Sequence, residues 1–82
     1  MRKIIFDLDL TLVDTTPVEE ARNKRDWNLA YSLIPQCQLY EGMDYVFSII
    51  RQNGLDACIV STSPRTYVEK VVAYFNIPIN KI

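Results

Sequence analysis

Apolar residues gather in two short unbroken runs and otherwise recur every three or four positions. Ile4, Ile5 and Phe6 are consecutive and strand-prone, which predicts a strand from Lys3 to Phe6, reaching Leu8 at most. A continuous run of this kind suits a strand buried on both faces, as in a parallel sheet. Asp56-Ala57-Cys58-Ile59-Val60-Ser61 repeats the pattern and ends in hydroxyl residues. Between the two runs the period is helical. Thr16, Pro17 and Glu19 form an N-cap, first-position and capping-box series, which predicts a helix from Pro17 to about Leu33, ending before Pro35. Val18, Ala21, Leu29 and Leu33 would share its inner side, and Trp27, off that stripe, would pack against a neighbouring element. A second helix is expected from Met43 to about Gln52, with Val46, Phe47, Ile49 and Ile50 inward and Gly54 just past its end. A third follows Ser63, read as an N-cap, from Pro64 to about Phe75, with Val68, Val71, Val72 and Phe75 inward.

The order is strand, helix, helix, strand, helix. That alternation predicts an α/β fold with parallel strands and right-handed crossovers. In open sheets of this class ligands bind at the carboxyl ends of the strands. Asp7 to Thr11 and Ser61 to Ser63 both fall at such ends.

Composition changes this picture little. An 82-residue chain holds one domain at most and buries a smaller share of its surface than larger domains do. Its 49% hydrophobic content is ample for a globular core and argues against disorder. Nine basic and ten acidic residues leave a net charge of -1, so no global field recruits nucleic acid or an anionic membrane. Arg22, Lys24 and Arg25 read as a solvated helix face. With two cysteines and no histidine, the chain has no zinc-type constellation, and Cys58 is expected as a buried free thiol. No stretch approaches the roughly 20 apolar residues of a membrane span, and nothing at the start resembles a signal peptide. A reducing, cytoplasmic setting is the default expectation.

The candidate chemistry sits at the two strand ends. Asp7 and Asp9 are separated by Leu8, and two such carboxylates repel unless a cation or hydrogen-bond donors compensate. Magnesium suits them, since it takes oxygen ligands and keeps several waters. One carboxylate can then attack phosphorus, while the other protonates the leaving oxygen and later activates water. A turn after Asp7, not strand periodicity, is expected to set their geometry. Ser61 at the second strand tip, with the Thr62 amide beside it, is placed to donate to a phosphoryl group.

The segment IIFDLDLTLVDT, from Ile4 to Thr15, resembles the first motif of the haloacid dehalogenase (HAD) superfamily, a hydrophobic strand followed by D-x-D-x-T. The segment ACIVSTSP, from Ala57 to Pro64, resembles the second motif. Leu39-Tyr40-Glu41-Gly42, the helix after it and Asn53-Gly54 resemble the family's approach to that strand. The resemblance implies a Rossmann-like parallel sheet with flanking helices, and a magnesium-dependent phosphohydrolase working through an aspartyl-phosphate. Asp7 would be nucleophile and metal ligand. Asp9 would be general acid/base, lending the metal its backbone carbonyl. Thr11 would brace the loop, and Ser61 with Thr62 would bind the phosphoryl group of a phosphorylated substrate. Leu10 stands where the family often has Gly or Asn, and a right-handed backbone is expected there.

The resemblance stops at two motifs. The family's third-motif Lys and fourth-motif acids have no counterpart: Lys70 is expected on the exposed side of the third helix and Lys81 in the tail. The ending from Ile77 to Ile82 reads like entry into another strand. The chain is therefore expected to be a truncated HAD-like core, residues 1–82, with a minimal helical cap at about 15–40. Alone it would be inactive or nearly so, with a sheet edge open to self-association. Two alternatives remain: a receiver-type phospho-accepting switch, and a non-catalytic phosphate-binding or assembly module on a degenerate HAD fold.

Overall fold

A computed structural model describes residues 3–79. Asn80, Lys81 and Ile82, and with them the tail lysine and half of the expected further strand, lie outside the described residues; the other half, Ile77 to Ile79, forms no strand. The chain folds as a small α/β unit. Strand β1 (Lys3–Phe6) pairs in parallel with β4 (Asp56–Ile59), with Lys3 opposite Asp56 and Phe6 opposite Ile59. The Val60 amide donates to Phe6 O at 2.9 Å and carries the ladder one residue further. A second, antiparallel pair joins β2 (Val13–Asp14) to β3 (Gln38–Leu39).

The parallel pair is not buried on both faces as its composition predicts. Ala57 and Ile59 are in the core, but Ile5 is 68% and Val60 63% exposed. Among the described residues the helices cover one side of the pair, and the apolar residues of the other side meet solvent. The cysteines are also reversed from expectation. Cys37 is buried and Cys58 only half-buried. Burial, and then the negative charges of Asp14 and Asp9, push the Cys37 thiol up, which leaves it unreactive.

The turn after β1 is held from the inside. Leu8, Leu12 and Val13 are fully buried, and Leu8 O accepts from the amides of Thr11, Leu12 and Val13 at 3.1–3.4 Å. Closing it puts Leu10 at φ +60°, in the left-handed region and not the right-handed one expected. A non-glycine residue there costs about 1–2 kcal/mol. Burying one leucine contributes about 1.5–3 kcal/mol, so the three core anchors outweigh the strain. Leu10 itself is 58% exposed and loses little contact when shortened. Leu10→Gly should therefore stabilise the chain by about 0.5–1 kcal/mol after the added unfolded-state entropy of glycine. The melting temperature should rise by a few degrees; a fall would mean that the leucine side chain packs more than its exposure indicates.

The single helix expected from Pro17 to Leu33 is two helices. A 3-10 turn (Thr16–Val18) leads into α1 (Glu19–Asn23), and α2 (Trp27–Leu33) runs on into a second 3-10 turn (Ile34–Gln36). Two local bonds pre-empt the long helix. Asp14 accepts from the Thr16 amide at 3.1 Å and from its hydroxyl at 2.6 Å, so Thr16 donates backward and forms no capping box with Glu19. Thr16 is thereby the first residue of the 3-10 turn, with Thr15 in the cap position and no side-chain cap bond. Arg25 then turns left-handed (φ +57°), and Asp26 restarts the helix by accepting from the Leu29 amide at 3.3 Å. The break rephases the inner face. Val18, Ala21, Ala30 and Ile34 are buried, while Leu29 is 48% exposed.

The later helices follow the sequence in their bounds, although Ile49, expected inward, is 37% exposed. Helix α3 (Met43–Asn53) ends on Gly54 at φ +58°, with Phe47 and Ile50 buried. Helix α4 (Arg65–Phe75) buries Tyr67, Val68 and Val71 and packs on α2. Lys70 is exposed, its ammonium 5.0 Å from the centre of the Tyr31 ring. No described helix is long and apolar enough to cross a membrane.

Candidate functional site

Parallel pairing of β1 with β4 puts their carboxyl ends side by side. Asp7 leaves the first and Ser61 the second, and together with Ile5, Phe6, Val60 and Thr62 they line one open cleft of about 400 Å³. The Asp7 carboxylate is exposed and oriented by its Oδ1, which accepts from the Leu8 amide at 2.8 Å. Ser61 Oγ accepts from the Ser63 amide at 3.1 Å. That bond engages an oxygen lone pair, so the Ser61 proton is available to a ligand in the cleft. Thr62 is exposed at the rim. Thr11 is exposed on the turn, where its amide donates to Leu8 O at 3.4 Å.

Asp9 points elsewhere. Its side chain is 13% exposed and sits among donors from four parts of the chain. Oδ1 accepts from Thr15 Oγ1 at 2.8 Å and from the Tyr67 hydroxyl at 3.0 Å, and Arg22 Nη1 lies 3.3 Å away. Oδ2 accepts from Ser63 Oγ at 3.4 Å, and that oxygen accepts from Arg22 Nη2 at 3.1 Å. The charge of Asp9 is thus compensated by the Arg22 guanidinium and by neutral donors. Arg22 also lies over the Tyr67 ring, 5.5 Å from its centre, and Trp27 packs on the same ring at 5.8 Å. Arg22 Nε is buried without an acceptor among the described residues, a cost of about 1–3 kcal/mol set against its other bonds.

Several expectations change here. Ser63 does not cap α4, whose first turn has no side-chain cap; its hydroxyl is committed to Asp9. Arg22 is half-buried and holds Asp9, so the basic cluster is not simply a solvated face. Lys24 alone of the three pairs along its helix, with Glu20 at 2.9 Å. Trp27 packs on a neighbouring element, as its position off the stripe predicts. Arg22, Thr15 and Tyr67 were not apparent as site residues. Tyr67 carried one usable signal, because it lies four residues before the inward Val71.

Burial, then the charge of Asp9 and the hydrogen bond to it, push the Tyr67 hydroxyl well above the ordinary tyrosine value of about 10, with Arg22 pulling the other way. The fold therefore favours the protonated phenol. Its contribution to stability is complete below about pH 10 and is lost as the pH climbs above it. Circular dichroism across pH 9–12 should show the native chain losing stability more steeply than Tyr67→Phe. Parallel curves would show that this hydroxyl titrates alike in the folded and unfolded chain.

Among the described residues no three His, Cys, Asp or Glu side chains are grouped to hold a metal ion. No family profile, curated protein or solved structure matches the chain.

Proposed function

We propose that the chain is the phosphoryl-transfer core of a magnesium-dependent phosphohydrolase of the HAD type, with Asp7 as nucleophile and Ser61 and Thr62 as phosphoryl donors. The observation that carries this reading is the shared cleft: a carboxylate and a hydroxyl, each held among the described residues only by a neighbouring backbone amide, line one opening at adjacent parallel strand ends. On this reading the two strands belong to a Rossmann-like sheet, and residues of about 15–40 form a minimal cap.

Asp7 fits a magnesium ion that keeps most of its waters. Oδ1 is oriented by the Leu8 amide; the Asp7 carboxylate and the Asp9 main-chain carbonyl would hold the ion. One or two protein oxygens are what this ion commonly takes beside substrate oxygens. When bound, it spreads the charge of the transferring phosphoryl group.

The chain's own residues supply the rest. An Asp7 oxygen attacks phosphorus, forming the aspartyl O–P bond as the ester P–O bond breaks. The Ser61 hydroxyl and the Thr62 amide donate to the equatorial oxygens. The leaving oxygen takes a proton from Asp9, which then removes one from the water that splits the aspartyl-phosphate. Asp9 reaches this role only if it releases the donors that now hold both its oxygens, Arg22 included, turns toward the cleft and takes up a proton.

A second reading rests on that same engagement. With every Asp9 contact retained, the cleft binds phosphate without turnover, as a non-catalytic module would. The test is hydrolysis of 4-nitrophenyl phosphate with and without magnesium, together with trapping of phosphoryl label on Asp7. Slow magnesium-dependent turnover through a labelled Asp7 is expected, at the low level anticipated for this chain by itself. Stable label without turnover would instead make the chain a receiver-type switch. Phosphate binding with neither label nor turnover would leave the binding module and overturn the proposal.

A further inference from the structure

A second concavity, of about 310 Å³, adjoins the first. It is lined by Arg22, Asn23, Arg25, Trp27, Thr62, Ser63 and Pro64. Thr62 lines both clefts, so a ligand whose phosphoryl group meets Asp7 and Ser61 would extend past Thr62 into it. The lining is cationic and aromatic. Arg22 is committed to Asp9 and Ser63, but Arg25 is exposed and pairs with no carboxylate among the described residues. Its neighbour Asp26 accepts from the Leu29 amide through Oδ1. Arg25 also holds a left-handed backbone at φ +57°, at the break that separates α1 from α2. A continuous helix would carry this residue elsewhere, and such outliers persist where the surroundings fix them.

We propose that this concavity is a specificity pocket for a second anionic group, a carboxylate or phosphate on a short carbon chain that also bears the reacting phosphate. Arg25 would engage the anion through its planar fork, which matches both groups bidentately. Asn23 offers an amide donor, and the Trp27 face covers the connecting carbons. The inference rests on the phosphoryl reading of the neighbouring cleft, and it gives that reading a substrate class.

Trp27 is the only tryptophan in the chain, so its fluorescence reports on this pocket directly. The probes are propane-1,3-diol bisphosphate and propyl phosphate, titrated in EDTA so that nothing turns over. The bisphosphate should change Trp27 emission and bind about tenfold more tightly than propyl phosphate. Arg25→Gln should remove that preference while leaving the circular dichroism and the propyl phosphate affinity unchanged. Lys24→Gln, the neighbouring charge outside the pocket, should leave the preference intact. The proposal is overturned if the wild-type chain binds both probes alike or binds neither. It is also overturned if Lys24→Gln erases the preference as fully as Arg25→Gln. A preference that survives in a chain without phosphatase activity would sink the enzyme reading alone. Turnover without a preference would sink the pocket alone.

Discussion

Replacing Tyr67 by Ala is expected to remove about 3–5 kcal/mol of stability, the range for deleting a buried aromatic ring. The ring is fully buried and is the common surface on which Trp27 and Arg22 rest, at 5.8 and 5.5 Å from its centre. Its hydroxyl donates to Asp9. Truncation therefore opens a cavity, frees the Arg22 head and strips one donor from a largely buried carboxylate. A chain of this length has roughly 4–12 kcal/mol in total, so the loss is about a quarter of the stability or more. Tyr67→Phe keeps the ring and removes only the hydroxyl, which should cost about 1–2 kcal/mol. Urea unfolding followed by Trp27 fluorescence separates the two. If Phe were as damaging as Ala, the Asp9 hydrogen bond, and not the ring, would be the main contribution.

That cluster also marks the limit of what the amino-acid order discloses. Elements set by local signals were legible. β1 and β4 follow from unbroken apolar runs, and α3 ends at Gly54 because a glycine takes the left-handed position easily. The juxtaposition of Asp7 with Ser61 was also legible, because parallel neighbours bring their carboxyl ends together. Where two local signals competed, the reading failed. Asp14 drew Thr16 into the 3-10 turn and out of the cap position, and Asp26 started a new helix where neither Gly nor Pro marks a stop. Leu10 and Arg25 adopt left-handed backbones that their residue types do not announce. The Asp9 cluster was the least visible feature, since its partners Arg22, Ser63 and Tyr67 lie 13, 54 and 58 positions away. No periodicity links such residues; only the packing of α1 and α4 around the turn does.

Asp7→Asn is expected to reduce turnover of an aryl phosphate by at least about a thousandfold, the scale for removal of a covalent nucleophile, with almost no change in stability. The amide oxygen of Asn can still accept from the Leu8 amide as Asp7 Oδ1 does, and the side chain is exposed, so folding has little to lose. What disappears is an oxygen that can bond to phosphorus, together with a negative ligand for magnesium. The two losses separate by experiment. Raising the magnesium concentration restores activity only if weakened metal binding was the defect, and it cannot supply a nucleophile. Asp9→Asn makes a poorer control, because it also breaks the ion pair with Arg22 and lowers stability along with activity. A stable Asp7→Asn chain that still hydrolyses phosphate at the native rate would move the chemistry away from the cleft at the ends of β1 and β4. A stable and inactive one, unresponsive to added magnesium, leaves the Asp7 carboxylate as the group that takes the phosphoryl transfer.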